Sequence, residues 1–150
     1  MTLENLLAIH KLQSFEASAA GAQRLLAAAG RNLADAGITA LSSENRFDAA
    51  YKAIMQCAMI GLWANGYRTS TSQPGHHQTA LQVLPKTLGL EQDVVIVLDA
   101  LRKQRNLNDY EGDPVSDGAV AECCKQAASL LEHTQTWLRE NRPDLLTNKA

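Results

Sequence analysis

The sequence predicts an all-α protein: an antiparallel up-down bundle of four main helices with short flanking helices. Three observations predict it. Apolar residues recur at three- and four-residue steps through residues 43–66, 91–107 and 116–141, the period of one helix face. Gly, Pro and Ser stand between these stretches, where helices start and stop. Aromatic residues make up 5% of the chain and alanine is plentiful, which lets helices pack closely and argues against a β-sandwich. At 150 residues the chain reads as one domain, 1–150, with a sizeable core and with residues 1–15 and 143–150 at its periphery.

The elements follow in order. Residues 2–12 can form a short first helix. Glu16 to Ala36 builds a packing face from Leu25, Leu26, Leu33 and repeated alanines, and Gly37 is placed to stop it. Ser43 is expected to cap the next helix, with Arg46 standing where a capping box would carry Glu. Ala50, Ile54, Cys57, Ala58, Gly61, Leu62 and Asn65 line one face, and Gly66 closes the helix. Residues 67–75, YRTSTSQPG, have no periodicity and read as a loop. His76 to Leu88 resumes a helical pattern that Pro85 should bend or end. Glu91 to about Leu107 is read as helix despite its VVIV run, because Val94, Leu98 and Leu101 keep helical spacing. Asn108 to Val115 reads as a turn. Ser116 caps a last long helix to about Asn141, striped by Val120, Cys124, Ala127, Leu131 and Leu138 and widened by Leu130 and Trp137. Pro143 ends it, and the final LLTNKA is expected to fray.

The formal net charge is -2, so no global basic field advertises nucleic acid, although a local patch can still form. Cys57, Cys123 and Cys124 make an odd set with one adjacent pair, which suits neither a disulfide framework nor a zinc site. Reduced, buried thiols and a cytoplasmic setting are the expectation. No secretory signal opens the chain, and no stretch approaches the roughly 20 apolar residues of a membrane span. No metal or cofactor is expected.

The stripe through Val94, Leu98 and Leu101 runs four residues on into Arg105. An inward arginine at a helix end needs a partner or a wet cleft, because an unpaired buried charge is costly. Arg102 and Lys103 should point to water. Two readings of the Arg105-Asn106-x-x-Asp109-Tyr110 corner stay open. Arg105 can bridge to Asp109 and fasten the helix end, with Tyr110 packing beneath. Alternatively the corner is a small polar site: a guanidinium for phosphate or carboxylate, an amide, and a phenol for stacking or modification.

His76 and His77 are the second candidates. One of them could act as a general base or bind metal, or simply pack at the helix start. Adjacent histidines on a helix point about 100° apart and rarely share a metal. The preceding loop carries no phosphate-binding glycine pattern and no nucleophile elbow. Trp63 and Trp137 are read as core or interface residues. His10 and His133 have no suggestive neighbours.

The segments RFDAAYKAIMQCAMIGLWANGYR, SQPGHHQTALQVLPKTLGL and VLDALRKQRNLNDYEGDPVS, taken in that order, resemble the HEPN superfamily over roughly residues 43–140. The resemblance implies an up-down helical bundle, a homodimer with a polar corner near its cleft, and a link to RNA or nucleotides. Many members are metal-independent RNases, and some are toxins paired with a nucleotidyltransferase-like antitoxin. Others bind without cleaving. Catalytic members carry Arg, then four to six residues, then His. Here Arg105 meets Tyr110, Glu111 and Gly112 at those distances, Arg102 meets Leu107, Asn108 and Asp109, and Arg68 lies too far from His76. Asp109-Tyr110 stands in place of the histidine. The resemblance therefore implies a binding or regulatory module at Arg105, Asn106, Asp109 and Tyr110. The alternatives are a degenerate RNase that uses Arg105 with His76 or His77, and a module whose surface binds another protein.

Overall fold

The computed structural model describes residues 2–147. It is predominantly helical, and the chain order is α1 (Leu3–Ala8), β1 (Leu12–Ser14), α2 (Ala19–Ala36), α3 (Ser43–Ala64), β2 (Tyr67–Thr69), α4 (His76–Gln82), α5 (Leu84–Thr87), α6 (Gln92–Glu111) and α7 (Asp117–Asn141). A 3-10 turn, Pro143–Leu146, follows. α2, α3, α6 and α7 are the four main helices.

α3 is the axis of the molecule. The sequence marks one apolar face, yet Phe47, Ala50, Tyr51, Ala53, Ile54, Met55, Cys57, Ala58, Ile60, Gly61 and Leu62 are all buried, so the helix is covered on nearly every side. α2 and α7 pack along it, while α4, α5 and α6 cover another flank. Small residues allow this close approach: Ala22, Ala29 and Ala36 of α2 are fully buried. Gly61 fits against Leu88 and Thr87 with no room for a Cβ, which would stand 2.9 Å from Leu88 Cγ. On α7 the buried residues are Val120, Cys123, Ala127, Leu130, Thr134 and Leu138. The stripe thus centres on Cys123 and Leu130, with Cys124 and Leu131 half-buried at its margin.

Helix ends follow local chemistry. Ser18, Ser42 and Ser116 accept from the amides of Gly21, Asn45 and Ala119 at 3.0, 3.1 and 3.1 Å. The α3 cap is therefore Ser42; Ser43 instead reaches Asp117 at 3.4 Å. Arg46, in the place of a capping glutamate, donates from Nε to the Ala36 carbonyl at 2.8 Å and ties α3 to the end of α2. Pro85 splits the 76–88 stretch into α4 and α5, as its ring demands.

Several boundaries differ from the sequence reading, and α2 starts at Ala19 rather than Glu16, with Ser18 as its cap. The first helix stops at Ala8, and Leu12–Ser14 pairs antiparallel with Tyr67–Thr69 in a ribbon, Gln13 opposite Arg68. Part of the 67–75 loop is therefore a strand. α6 runs to Glu111, so Asn108, Asp109, Tyr110 and Glu111 are helical. Gln104–Asn108 and Arg105–Asp109 pairs at i,i+4 hold that last turn, and Gly112 in the left-handed conformation, φ 69°, ends it. At the C-terminus, Leu145 is buried against Ile60, Ala64 and Leu138, and Arg142 clasps Asp144 through two nitrogens while donating to the Ala64 carbonyl at 2.6 Å. That part of LLTNKA is packed, and residues 148–150 lie outside the described residues. The flanks are tied in more closely than a periphery suggests, since Leu6 and Leu12 are buried as well. Among the described residues no helix is long and apolar enough to cross a membrane.

Candidate functional site

The start of α4 meets the last three turns of α6 at a surface cavity of roughly 320 Å3, lined by Gly75, His76, His77, Gln78, Arg102, Arg105, Asn106 and Tyr110. The histidines and the Arg105 corner, 29 residues apart in sequence, thus form one site. The corner's fourth member, Asp109, sits behind Arg105 rather than in the cavity wall. Gly75, at φ 76°, lets the chain turn sharply into α4.

Arg105 is 29% exposed and lies between two carboxylates. Its Nε stands 3.3 Å from Asp48 Oδ1 and 3.2 Å from Asp109 Oδ2. Its guanidinium carbon also lies 5.2 Å from the centre of the Tyr51 ring, a cation–π contact. Arg102 does not point to water. It is only 15% exposed, and its Nε donates to Asp99 at 2.8 Å. In both arginines the carboxylate engages Nε. The terminal nitrogens of both guanidiniums make no protein hydrogen bond among the described residues. The aspartates therefore orient the two guanidiniums and offset their charge, leaving the forked ends to the cavity.

Tyr110 does not pack beneath Arg105. It is 84% exposed at the cavity rim, because the extra turn of α6 carries it outward. The aromatic under Arg105 is Tyr51 of α3, 2% exposed. Its hydroxyl lies 3.2 Å from His77 Nδ1. Burial pushes the Tyr51 phenol up to about 12, against the opposing pull of Arg105 and Arg102. The phenol thus stays protonated and has a proton to place. With the phenol as the donor to Nδ1, His77 carries its own proton on Nε2.

His77 is held neutral. Burial lowers its pKa first, and the neighbouring His76, Arg105 and Arg102 lower it further. The His76 and His77 rings meet edge to face with centroids 4.6 Å apart. They stand on one wall of the cavity, although their backbone positions alone would send them apart. On their other side lies a smaller cavity of roughly 90 Å3, lined by Met55, Met59, Thr69, Thr71, Ala80 and the same two histidines.

Sequence reasoning missed Asp48 and Tyr51. Both lie on α3 three residues apart, and their signal is faint: a tyrosine and an aspartate on a helix otherwise read as core. The remaining candidates fall outside the site. His133 Nε2 donates to the Leu88 carbonyl at 2.6 Å and fastens α7 to the end of α5. Cys57 and Cys123 are buried, and burial pushes both thiols up to about 12; Cys124 is half-buried. Trp63 packs on Phe15, ring centroids 5.0 Å apart, and Arg68 covers the outer face of Phe15. Among the described residues no group of three His, Cys, Asp or Glu side chains is placed to hold a metal ion.

No family model, curated protein or solved structure matches this chain.

Proposed function

We propose that this chain is a HEPN-like helical module that binds a phosphate-bearing ligand, RNA or a nucleotide, in the cavity between α4 and α6. The observation that carries the reading is the convergence of Arg102, Arg105, Asn106 and His77 on one cavity with the forked ends of both guanidiniums unbonded. Guanidinium forks match phosphate oxygens in pairs. A neutral imidazole adds a hydrogen-bonding group without a further buried charge. Asn106 supplies an amide. Asp48, Asp99 and Asp109 keep the two guanidiniums from being a knot of unpaired cations.

Binding is favoured over efficient cleavage by the placement of the histidines. Metal-free phosphoryl transfer needs a base and an acid at the attacking and leaving oxygens, which lie roughly in line. His76 and His77 share one wall, their rings 4.6 Å apart, and the arginines are not useful bases. The second reading is a slow metal-independent RNase. It is favoured by one observation, the neutral His77 beside two guanidiniums.

The test is anisotropy with a labelled single-stranded RNA. Arg105→Ala and Arg102→Ala are expected each to weaken binding at least tenfold and to flatten its salt dependence by about one counterion. Binding unchanged in both variants refutes the reading. RNA cleavage lost in His77→Ala or His76→Ala establishes the RNase instead. The same reading carries a homodimer and a nucleotidyltransferase-like partner. Ile96, Leu107 and Tyr110 support it, as exposed apolar residues on α6; sedimentation and co-purification test it.

A further inference from the structure

The two histidines separate two cavities, and the smaller one takes no part in the phosphate reading. Its lining gathers the softest donors in the chain. The sequence holds three methionines, and the two internal ones, Met55 and Met59, both line this cavity. They stand four residues apart on α3, one above the other on a single face of the helix. His76 and His77 line it as well. His77 is engaged through Nδ1 with Tyr51. Neither ring nitrogen of His76 bonds to the protein among the described residues, and its ring rests edge to face against His77. The other polar side chains of the lining are the hydroxyls of Thr69 and Thr71, and no carboxylate or thiol is part of it.

We propose that this cavity binds a soft monovalent metal ion, copper(I), through the thioether sulfurs of Met55 and Met59 and a ring nitrogen of His76. Donor softness selects the metal: thioethers favour copper(I), and imidazole suits copper as well. Hard divalent ions take carboxylate and carbonyl oxygens, and the side chains here offer only two neutral hydroxyls. Zinc is held by thiolates, imidazoles and carboxylates, of which only the imidazoles are present. Charge points the same way. Arg102 and Arg105 line the cavity on the far side of the histidine wall, and they repel a single positive charge half as strongly as a double one. Only one histidine is a ligand, since adjacent histidines rarely share an ion. His77 is a positioning residue: bonded to Tyr51 and packed on His76, it fixes the ring that ligates. Unbranched methionine side chains bring both sulfurs to one ion without moving the helix. Met55, 6% exposed, places one ligand in the dry interior, while Thr71 is exposed and gives the ion an entry. The proposal is independent of the phosphate reading.

The experiment is an anaerobic titration of the full chain with copper(I), in competition with the chromogenic chelator bicinchoninate. Saturable binding of a single ion is expected. His77→Ala should weaken it about tenfold, as loss of a group that orients a ligand does, and Met55→Leu, Met59→Leu and His76→Ala should each weaken it further than that. Leucine conserves the volume of methionine, so the metal-free melting temperatures of the two leucine variants should stay near wild type. Silver(I), a redox-inert stand-in, should shift the methyl resonances of Met55 and Met59 in carbon NMR. Cys124→Ser should leave the affinity unchanged, because that thiol lies outside the cavity. Absence of binding overturns the proposal, as does displacement of the copper by equimolar zinc. Affinity unchanged in Met55→Leu and Met59→Leu, or lost in Cys124→Ser, also overturns it. If Met55→Leu fails to fold, Met59→Leu at its half-buried position and the silver-shifted methyl groups carry the test; an unchanged affinity with unshifted methyls overturns the site.

Discussion

Two glycines on neighbouring helices should respond to alanine in opposite directions. Gly30 lies in the middle of α2, and a Cβ built there meets nothing within 4 Å. Alanine at this position removes the backbone entropy of a helical glycine and should stabilise the fold by about 0.5–1 kcal/mol. Gly61 sits on α3 where it crosses α5. A Cβ there falls 2.9 Å from Leu88 Cγ, 3.0 Å from Thr87 Oγ1 and 3.2 Å from Leu88 Cδ1. Neither neighbour has space to retreat into, since Thr87 is 0% and Leu88 1% exposed. Asn65 adds stiffness by donating to both the Gly61 and Thr87 carbonyls, at 2.7 and 3.0 Å. The helix gains about 1 kcal/mol of propensity from alanine, against roughly 1–3 kcal/mol for overpacking. Gly61→Ala should therefore be net destabilising by about 1 kcal/mol, some 2 kcal/mol below Gly30→Ala. For a chain of this size that gap corresponds to roughly 4–8 °C between the two melting temperatures, readable by calorimetry or circular dichroism. Thr87→Ala should restore part of the Gly61→Ala loss in a double-mutant cycle, since Thr87 Oγ1 is buried without a partner. Equal stabilisation by both alanines would refute the claim that the α3–α5 seam is closed by the missing side chain.

Tyr51→Phe keeps the ring under Arg105 and removes only the proton donated to His77. It should cost about 1 kcal/mol of stability and shift the His77 imidazole from a single tautomer to a mixture in nitrogen NMR; an unchanged tautomer would sink the assignment. His77 is neutral in the fold with its pKa lowered from 6.5, so the unfolded chain takes the proton first. Its contribution is intact above about pH 6.5 and is lost as pH falls through the lower folded value. His77→Asn should therefore flatten the acid side of the stability profile relative to wild type, and parallel profiles would contradict this. Native protein exposed to a thiol reagent should react at Cys124 alone, slowly, with Cys57 and Cys123 labelled only on unfolding; mass mapping of the adduct checks it.

The bundle was legible because its helices announce themselves several ways at once: serine caps, Gly37, Pro85 and three long apolar repeats. What eluded the sequence has physical reasons. A ribbon of two three-residue strands is too short to show alternation, and its pairing partner lies 55 residues away. The last turn of α6 is polar and asparagine-rich, so its local chemistry resembles a turn. The i,i+4 pairs and the left-handed Gly112 help to keep it helical. Arg105 and the histidines could be named from sequence, but their meeting could not, since it depends on α4 folding back onto α6. Asp48 and Tyr51 stayed hidden because an aspartate on the part-exposed first turns of α3 and a tyrosine among its core residues both look ordinary in sequence.

The ribbon also bears on how the protein assembles and breathes. Its closure encloses the whole α2–α3 hairpin, a loop whose ends gain nothing until that hairpin is in place. The ribbon should therefore form late and open early. The amide of Ser70, which bonds the Lys11 carbonyl at 3.1 Å, should exchange its hydrogen far sooner than those of α3. The strand that opens, Tyr67–Thr69, leads through a short turn directly into His76 and His77. The wall between the two cavities is thus joined to an edge that should open before the four helices do.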